Sequence, residues 1–208
     1  MNLDVPDFWR DLTFTSQDAL LDALSEFSRR IAGQVDLSPQ QLLPKPKSRA
    51  RSNSLSSKYG LGEFPPHTDG AHLRPSPRFV VLWSLHRDDT NTPTYLRRFV
   101  PALLKPDLYE TLKESVWSVR IRDSLHFYKR PLSPDGSEIA WDPGCFVHDR
   151  TGGLQVAEVD AAFRDLPHEA VFWKSGVAVI INNRRVLHSR AALTHRGAKR
   201  ELFRLYIY

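Results

Sequence analysis

At 208 residues, 41% of them hydrophobic and 25% charged, the chain has the length and balance of one globular domain with a substantial core. No apolar run reaches membrane-spanning length, and the acidic, proline-broken residues 1–7 have the pattern of neither a secretory signal nor a transit peptide. The single cysteine, Cys145, excludes an internal disulfide framework and a thiolate-rich zinc site and suits a reducing cytoplasm, while a net charge of +5 is compatible with anionic partners without demanding a nucleic acid.

In chain order, Thr15 or Ser16 can cap a helix that runs to about Ile31 and stops at Gly33. Ala19, Leu20, Ala23, Leu24, Phe27 and Ile31 form its apolar stripe. Between Asp36 and Glu63 there is no acidic residue, whereas Lys45, Lys47, Arg49, Arg51 and Lys58 are all cationic. Proline and serine are frequent there, so the segment reads as a solvated basic loop or as a lid that helps to bind an anion. Residues 78–85 form a continuous apolar strand, buried on both faces. A turn follows at 88–91, a helix at 103–115 and a β-rich run at 116–121. Ser133-Pro134-Asp135-Gly136 is a hairpin-type turn, and 139–147 is compatible with a strand around the Pro143-Gly144 break. A short helix is expected at 160–166, the strongest β run at 177–181, and a final alternating strand at 202–208. Many short strands with few helices predict a mainly β fold with flanking helices, a barrel or jelly roll in a single domain. Its helical N-terminal support is expected at about 1–35 and its core at about 58–208.

The chemistry concentrates around Phe64-Pro65-Pro66-His67-Thr68-Asp69-Gly70. Residues two apart on a strand point to one side, so the His67 imidazole and the Asp69 carboxylate can converge on one point. These are two members of a 2-His-1-carboxylate facial triad, which holds non-haem Fe(II) with coordination positions left open. A bare H-x-D is common by chance, and the context downstream strengthens it. The strand at 177–181 runs into Asn182-Asn183-Arg184-Arg185-Val186-Leu187-His188-Ser189-Arg190, and His188, 121 residues beyond His67 (188 − 67), can supply the third ligand. Arg200 and Arg204 follow, and their separation of four puts both on one face of a strand. A guanidinium there can hold a carboxylate through two parallel hydrogen bonds.

With these residues the chain resembles the Fe(II)/2-oxoglutarate-dependent oxygenases of the taurine dioxygenase and clavaminate synthase-like group, over roughly residues 58–208. The resemblance rests on His67-Thr68-Asp69, Thr94, Trp173-x-x-Gly176, Asn183-Arg184-Arg185-x-x-His188-x-Arg190, Arg200 and Arg204. It implies a double-stranded β-helix (jelly-roll) core, with iron bound by His67, Asp69 and His188. It implies a 2-oxoglutarate co-substrate held by Thr94 and Arg200, O2 as oxidant, and Arg204 on the substrate side. Oxidative decarboxylation to succinate would then drive hydrogen abstraction from the substrate, with no protein acid or base needed at the central step. Three departures stand out: Asn182 replaces the acid usual at that position, Thr94 lacks the glycines often found before it, and the chain is shorter than typical members.

Hydroxylation of a small polar metabolite with an anionic group, such as an amino acid or derivative of specialised metabolism, is the outcome that the resemblance implies. Desaturation, cyclisation or epoxidation of a larger or carrier-bound substrate would use the same ligands, whereas Asp69 disfavours halogenation. The substrate would be anionic or zwitterionic, because a buried guanidinium such as that of Arg204 needs an anion. A nucleic-acid-directed protein is the reading from another class, motivated by the basic segment; only Tyr59 lies nearby as a stacking platform. A non-catalytic binding module is opposed by the intact triad. His72, His86, His126, His148, His168 and His195 read as surface or hydrogen-bonded residues and Trp83 and Trp117 as core. Arg184, Arg185 and Arg190 read as structural, with Arg190 alternatively facing the pocket.

Overall fold

Two continuous apolar runs pair with each other at the centre of the molecule, and the remaining layers follow from burying both of their faces. In the computed structural model, which describes residues 3–33, 37–50, 54–86, 91–121, 124–147, 154–193 and 200–208, the strands are β1 (Trp9–Thr13), β2 (Gln40–Leu42), β3 (Phe64–His67), β4 (Phe79–Ser84), β5 (Thr94–Arg98), β6 (Trp117–Ile121), β7 (Ser124–Lys129), β8 (Phe146–Val147), β9 (His168–Val171), β10 (Val177–Asn182), β11 (Val186–Arg190) and β12 (Leu202–Ile207). The α-helices are α1 (Gln17–Ala32), α2 (Leu55–Tyr59), α3 (Pro106–Glu114) and α4 (Val156–Arg164). A five-stranded sheet has the order β1-β10-β4-β12-β2, a four-stranded sheet β3-β11-β5-β9, and a small third sheet β7-β6-β8. All pairings are antiparallel.

Side chains alternate along each strand, so the five-stranded sheet has two apolar faces. Phe79, Val81, Trp83, Ala178, Ile180, Leu205 and Ile207 pack on α1 through Leu20, Ala23, Leu24 and Phe27. Val80, Leu82, Val179 and Ile181 face inward with Leu96, Trp173 and Val186 from the side of the four-stranded sheet. The outer face of the four-stranded sheet is closed by a third cluster, where Leu187 meets Trp117, Trp141, Phe163 and Leu112. The α1 boundaries follow from local chemistry: the Ser16 hydroxyl accepts from the Ala19 amide at 3.2 Å, and Gly33 ends the helix at φ 64°.

Several expected boundaries move. The N-terminal region is not only helical support, because β1 pairs with β10 from Trp9↔Ile181 to Thr13↔Val177. The segment 37–62 is not all loop, because β2 pairs with β12, Lys47–Arg49 form a 3-10 turn and α2 follows. The sheet core therefore begins well before residue 58. Residues 139–147 contribute only an isolated Leu132↔Ile139 bridge and the two-residue β8. The helices expected at 103–115 and 160–166 occupy 106–114 and 156–164. The turn expected at 88–91 lies outside the described residues except for Asn91. No described helix is long and apolar enough to cross a membrane.

Phe27 is 1% exposed and meets Phe79 edge-on, with centroids 5.6 Å apart. Phe27→Ala should cost about 3–5 kcal/mol, read as a lowered urea midpoint. Because α1 lies on the far side of the five-stranded sheet from the inward-facing side chains, the imidazole NMR signals of His67 and His188 should be unchanged in that variant under native conditions.

Candidate active site

His67 ends β3 and His188 lies in the middle of β11, and the two are direct cross-strand partners. Paired residues of antiparallel strands carry their side chains on one face. The two imidazoles accordingly stand with centroids 4.3 Å apart, and the Asp69 carboxylate spans them. Its Oδ1 lies 3.9 Å from His67 Nε2 and its Oδ2 lies 3.9 Å from His188 Nε2. The ring of His67 is turned by a 2.8 Å contact from Nδ1 to the Pro65 carbonyl, which aims Nε2 at the centre. His188 Nε2 is buried with no hydrogen-bond partner. An orphaned imidazole nitrogen beside a second imidazole and a carboxylate is a donor set that fits a divalent metal ion, since two bonds of about 2.1 Å bridge such separations. The three residues are 6%, 7% and 6% exposed, so the centre is buried.

The backbone around Asp69 is fixed by Asn183. Its Oδ1 accepts from the Asp69 amide at 2.8 Å, and its Nδ2 donates to the carbonyls of Asp69 at 2.8 Å and Pro77 at 2.9 Å. Thr68, pointing the opposite way, accepts from the Trp141 amide through Oγ1 at 2.9 Å. The H-x-D triplet is thus held from both sides, although only its end residues are donors for a metal. Asn182, the departure noted in the sequence, reaches the N-terminal segment instead: its Nδ2 donates to the Asp7 carbonyl at 3.1 Å.

Arg204 and Arg200 take different partners. Arg200 precedes β12 rather than lying in it, so the shared-strand premise does not hold, yet both guanidinia reach the interior. Arg204 Nη1 donates to Asp69 Oδ1 at 3.0 Å and its Nη2 to Gln40 Oε1 at 2.8 Å. The anion that a buried Arg204 requires is therefore present in the protein itself. Burial alone would raise the Asp69 carboxyl, but Arg204, His188 and His67 outweigh it and hold it below the usual range.

Arg200 and Thr94, assigned together from the resemblance, meet directly. Arg200 Nη2 donates to Thr94 Oγ1 at 3.1 Å, and Arg200 also donates to the Thr92 carbonyl. Trp173 Nε1 donates to the same Thr94 oxygen at 3.0 Å. Two donors occupy both lone pairs of the hydroxyl, so its own proton must be given to something else. A carboxylate beside Arg200 would receive it.

Residues to which the sequence assigns no chemical role also converge, among them His72, expected as a surface or hydrogen-bonded histidine. His72, Asp142 and Cys145 place ligand-type atoms within 4.8 Å of one another. Burial lowers the His72 pKa against the pull of Asp142 and Asp69, and burial raises that of Tyr206, with Asp69 and then Asp142 adding to it. Asp142 is thus the carboxylate placed beside His72. No local spacing links residues seventy positions apart, and only the fold brings them together. His86 lies 3.7 Å from Glu201, His168 meets the Tyr95 ring edge-on, and His148 and His195 fall outside the described residues. Trp83 and Trp117 are core, as expected. In the basic segment, Lys58 Nζ donates to the Pro143 carbonyl at 3.0 Å, which ties α2 to the loop that carries Asp142; Arg51 falls outside the described residues.

Burial, reinforced by His67, pushes the His188 imidazole down to about 3 from an ordinary 6.5. Between those values the unfolded chain binds a proton that the folded chain does not, so folding stability falls as pH drops from about 6.5 toward 3. The metal-free protein should accordingly lose urea resistance between pH 7 and pH 5, and His188→Gln should lose less over the same interval.

No protein-family model matches the chain, and no curated protein matches it in sequence. Solved structures do. Asparagine oxygenase in complex with Fe(II), 2S,3S-3-hydroxyasparagine and succinate superposes with a TM-score of 0.65 at 19% identity, over 81% of this chain and 56% of that one. The non-haem iron oxygenase OrfP with Fe and alpha-ketoglutaric acid gives 0.62 at 19% identity, over 90% of this chain and 64% of that one. OrfP with Fe and L-Arg gives 0.59 at 19% identity, over 92% and 64%. The chain thus spans little more than half to just under two thirds of the length of these proteins. Likeness at this level of identity establishes architecture: the chain shares the jelly-roll fold of these non-haem iron oxygenases.

Proposed function

We propose that the protein is an Fe(II)- and 2-oxoglutarate-dependent oxygenase that hydroxylates an amino acid or a closely related zwitterion. The observation that carries this reading is the convergence of His67, Asp69 and His188, with an orphaned buried nitrogen, on the same inner face as the Thr94–Arg200 pair. His67, Asp69 and His188 would hold the metal, which when bound supplies oxygen activation coupled to decarboxylation of 2-oxoglutarate. Arg200 and Thr94 hold the distal carboxylate of the co-substrate, and Trp173 keeps the threonine hydroxyl turned toward it. The apolar lining of Leu82, Leu96, Val179 and Val186 excludes water from the reacting centre.

Arg204 has two roles in this reading. It neutralises Asp69 in the structure, and with the Asp69 carboxylate engaged in holding a metal its guanidinium would be available to a substrate carboxylate. Asp142, whose carboxylate lies beside His72, is the acidic group that would take a substrate ammonium. Both ends of an amino acid are then matched. The similar structures were solved with hydroxyasparagine, L-Arg and L-homoarginine, which makes amino acids the natural substrate class to test here.

The decisive assay is succinate formation with Fe(II) and 2-oxoglutarate across a panel of free amino acids, small acids, sulfonates and carrier-bound amino acids. A product at a carrier-bound amino acid alone would favour the larger-substrate reading, and no product across the panel would count against an oxygenase. In the active enzyme, Arg200→Lys should raise the 2-oxoglutarate concentration needed by roughly ten- to a hundredfold, the loss of a charge-assisted fork worth about 1.5–3 kcal/mol, with iron binding retained. Arg204→Gln should instead abolish substrate-triggered succinate while the visible band of the anaerobic Fe(II)–2-oxoglutarate complex persists. An exchange of these two phenotypes would exchange the assignments.

A further inference from the structure

The distal segment carries three arginines, and two have acidic partners: Arg184 lies 3.5 Å from Glu138 and Arg185 3.9 Å from Asp7. Arg190 has no carboxylate partner among the described residues. Its Nη2 donates to the carbonyls of Gly60 at 3.0 Å and Gly62 at 2.6 Å, and its guanidinium carbon lies 3.8 Å from the centre of the Phe64 ring. Its Nε is buried and unpartnered.

The strand register fixes which way this side chain faces. Arg190 pairs with Thr94 on one side and with Phe64 on the other, and it lies two residues beyond His188 on the same strand. Cross-strand partners and residues two apart share a face, so Arg190, Thr94 and His188 all belong to the inner surface. A one-residue irregularity between the His188↔His67 and Arg190↔Phe64 pairs gives β3 an extra residue there, which lets its leading segment curl over the guanidinium. A second guanidinium reaches the same place, since Arg200 Nη2 donates to the hydroxyl of Thr94, the cross-strand partner of Arg190. Two like charges facing a hydroxyl with a proton to donate make a cradle for an anion.

We propose that Arg190 is a positioning residue for the co-substrate: a second cation at the distal carboxylate held by Arg200 and Thr94, and the strut linking occupancy of that site to the 60–64 segment that leads into His67. This rests on the 2-oxoglutarate reading above and deepens it. An anion between the two guanidinia converts their repulsion into attraction. Because the same Arg190 group holds the Gly60 and Gly62 carbonyls, co-substrate binding and order in residues 60–64 reinforce each other. The Leu193 amide, which donates to the Leu61 carbonyl at 2.9 Å, is a second tie that stays in place when Arg190 is changed.

The test uses the anaerobic Fe(II)-loaded protein, with 2-oxoglutarate and 2-oxovalerate, which ends in a methyl group instead of the distal carboxylate. Binding of each is measured by titration, and amide hydrogen exchange is followed over residues 58–66. The wild type should prefer 2-oxoglutarate and should show slower exchange at 60–64 when it binds. Arg190→Met should lower that preference about tenfold, the scale of one partly buried charge pair, and should lose the slowing. Arg190→Lys, which keeps the charge without the fork, should retain the preference and still lose the slowing. Equal loss of affinity for both keto acids would mark a merely structural arginine and overturn the proposal, as would wild-type preference in Arg190→Met. If Arg200→Lys abolishes the preference and Arg190→Met leaves it intact, this inference alone falls. If the wild type itself binds no 2-oxoglutarate, the functional reading falls first and takes this inference with it.

Discussion

A carboxylate buried between two imidazoles and one guanidinium is the constraint on which the rest of the site depends. Ionised Asp69 would be costly in the interior without compensation. Arg204 supplies that compensation from β12, in the five-stranded sheet, while the imidazoles come from β3 and β11 in the four-stranded sheet. The charge cluster therefore spans the sandwich. The centre can form only when the two sheets have closed on each other, so the metal-type geometry reports on the tertiary fold more than on any single segment.

The same arrangement explains why the surroundings are so heavily hydrogen-bonded. Asn183 satisfies the backbone of Asp69 from behind, Thr68 is bonded to Trp141, and Trp173 saturates Thr94. Each of these residues orients a neighbour to which a functional contact is proposed. Buried polar groups of this kind are worth keeping only if fully satisfied, because a half-satisfied network costs more than an apolar core. The atoms left unpartnered at the centre, His188 Nε2 and Arg204 Nε, are thus the informative exceptions.

Much of this was legible in the order of residues. The α1 boundaries were readable because Ser16 and Gly33 act locally, and β4 and β10 because sandwiching by α1 and the second sheet demands unbroken apolar runs. The triad was readable because i, i+2 spacing on a strand edge is a geometric statement, and His188 because a long apolar strand leads into it. What could not be read has a common cause. β1 and β9 are half-exposed strands whose mixed side chains carry no clean alternation, and β2 is a strand only because the edge of β12 receives it. The pairing of Arg204 with Asp69 and the approach of Asp142 to His72 depend on the closure of sheets, and no pattern along the chain encodes that.

Both outer strands of the five-stranded sheet come from the first 42 residues: β1 covers β10 and β2 covers β12. None of the proposed metal or co-substrate ligands lies in that region. A shortened chain starting at the H-x-D motif would keep every such ligand and expose two long hydrophobic strand edges, each with unpaired amides ready to template another chain. The two short strands that look least important in the fold thus occupy the edges of β10 and β12 that would otherwise offer their amides to another chain.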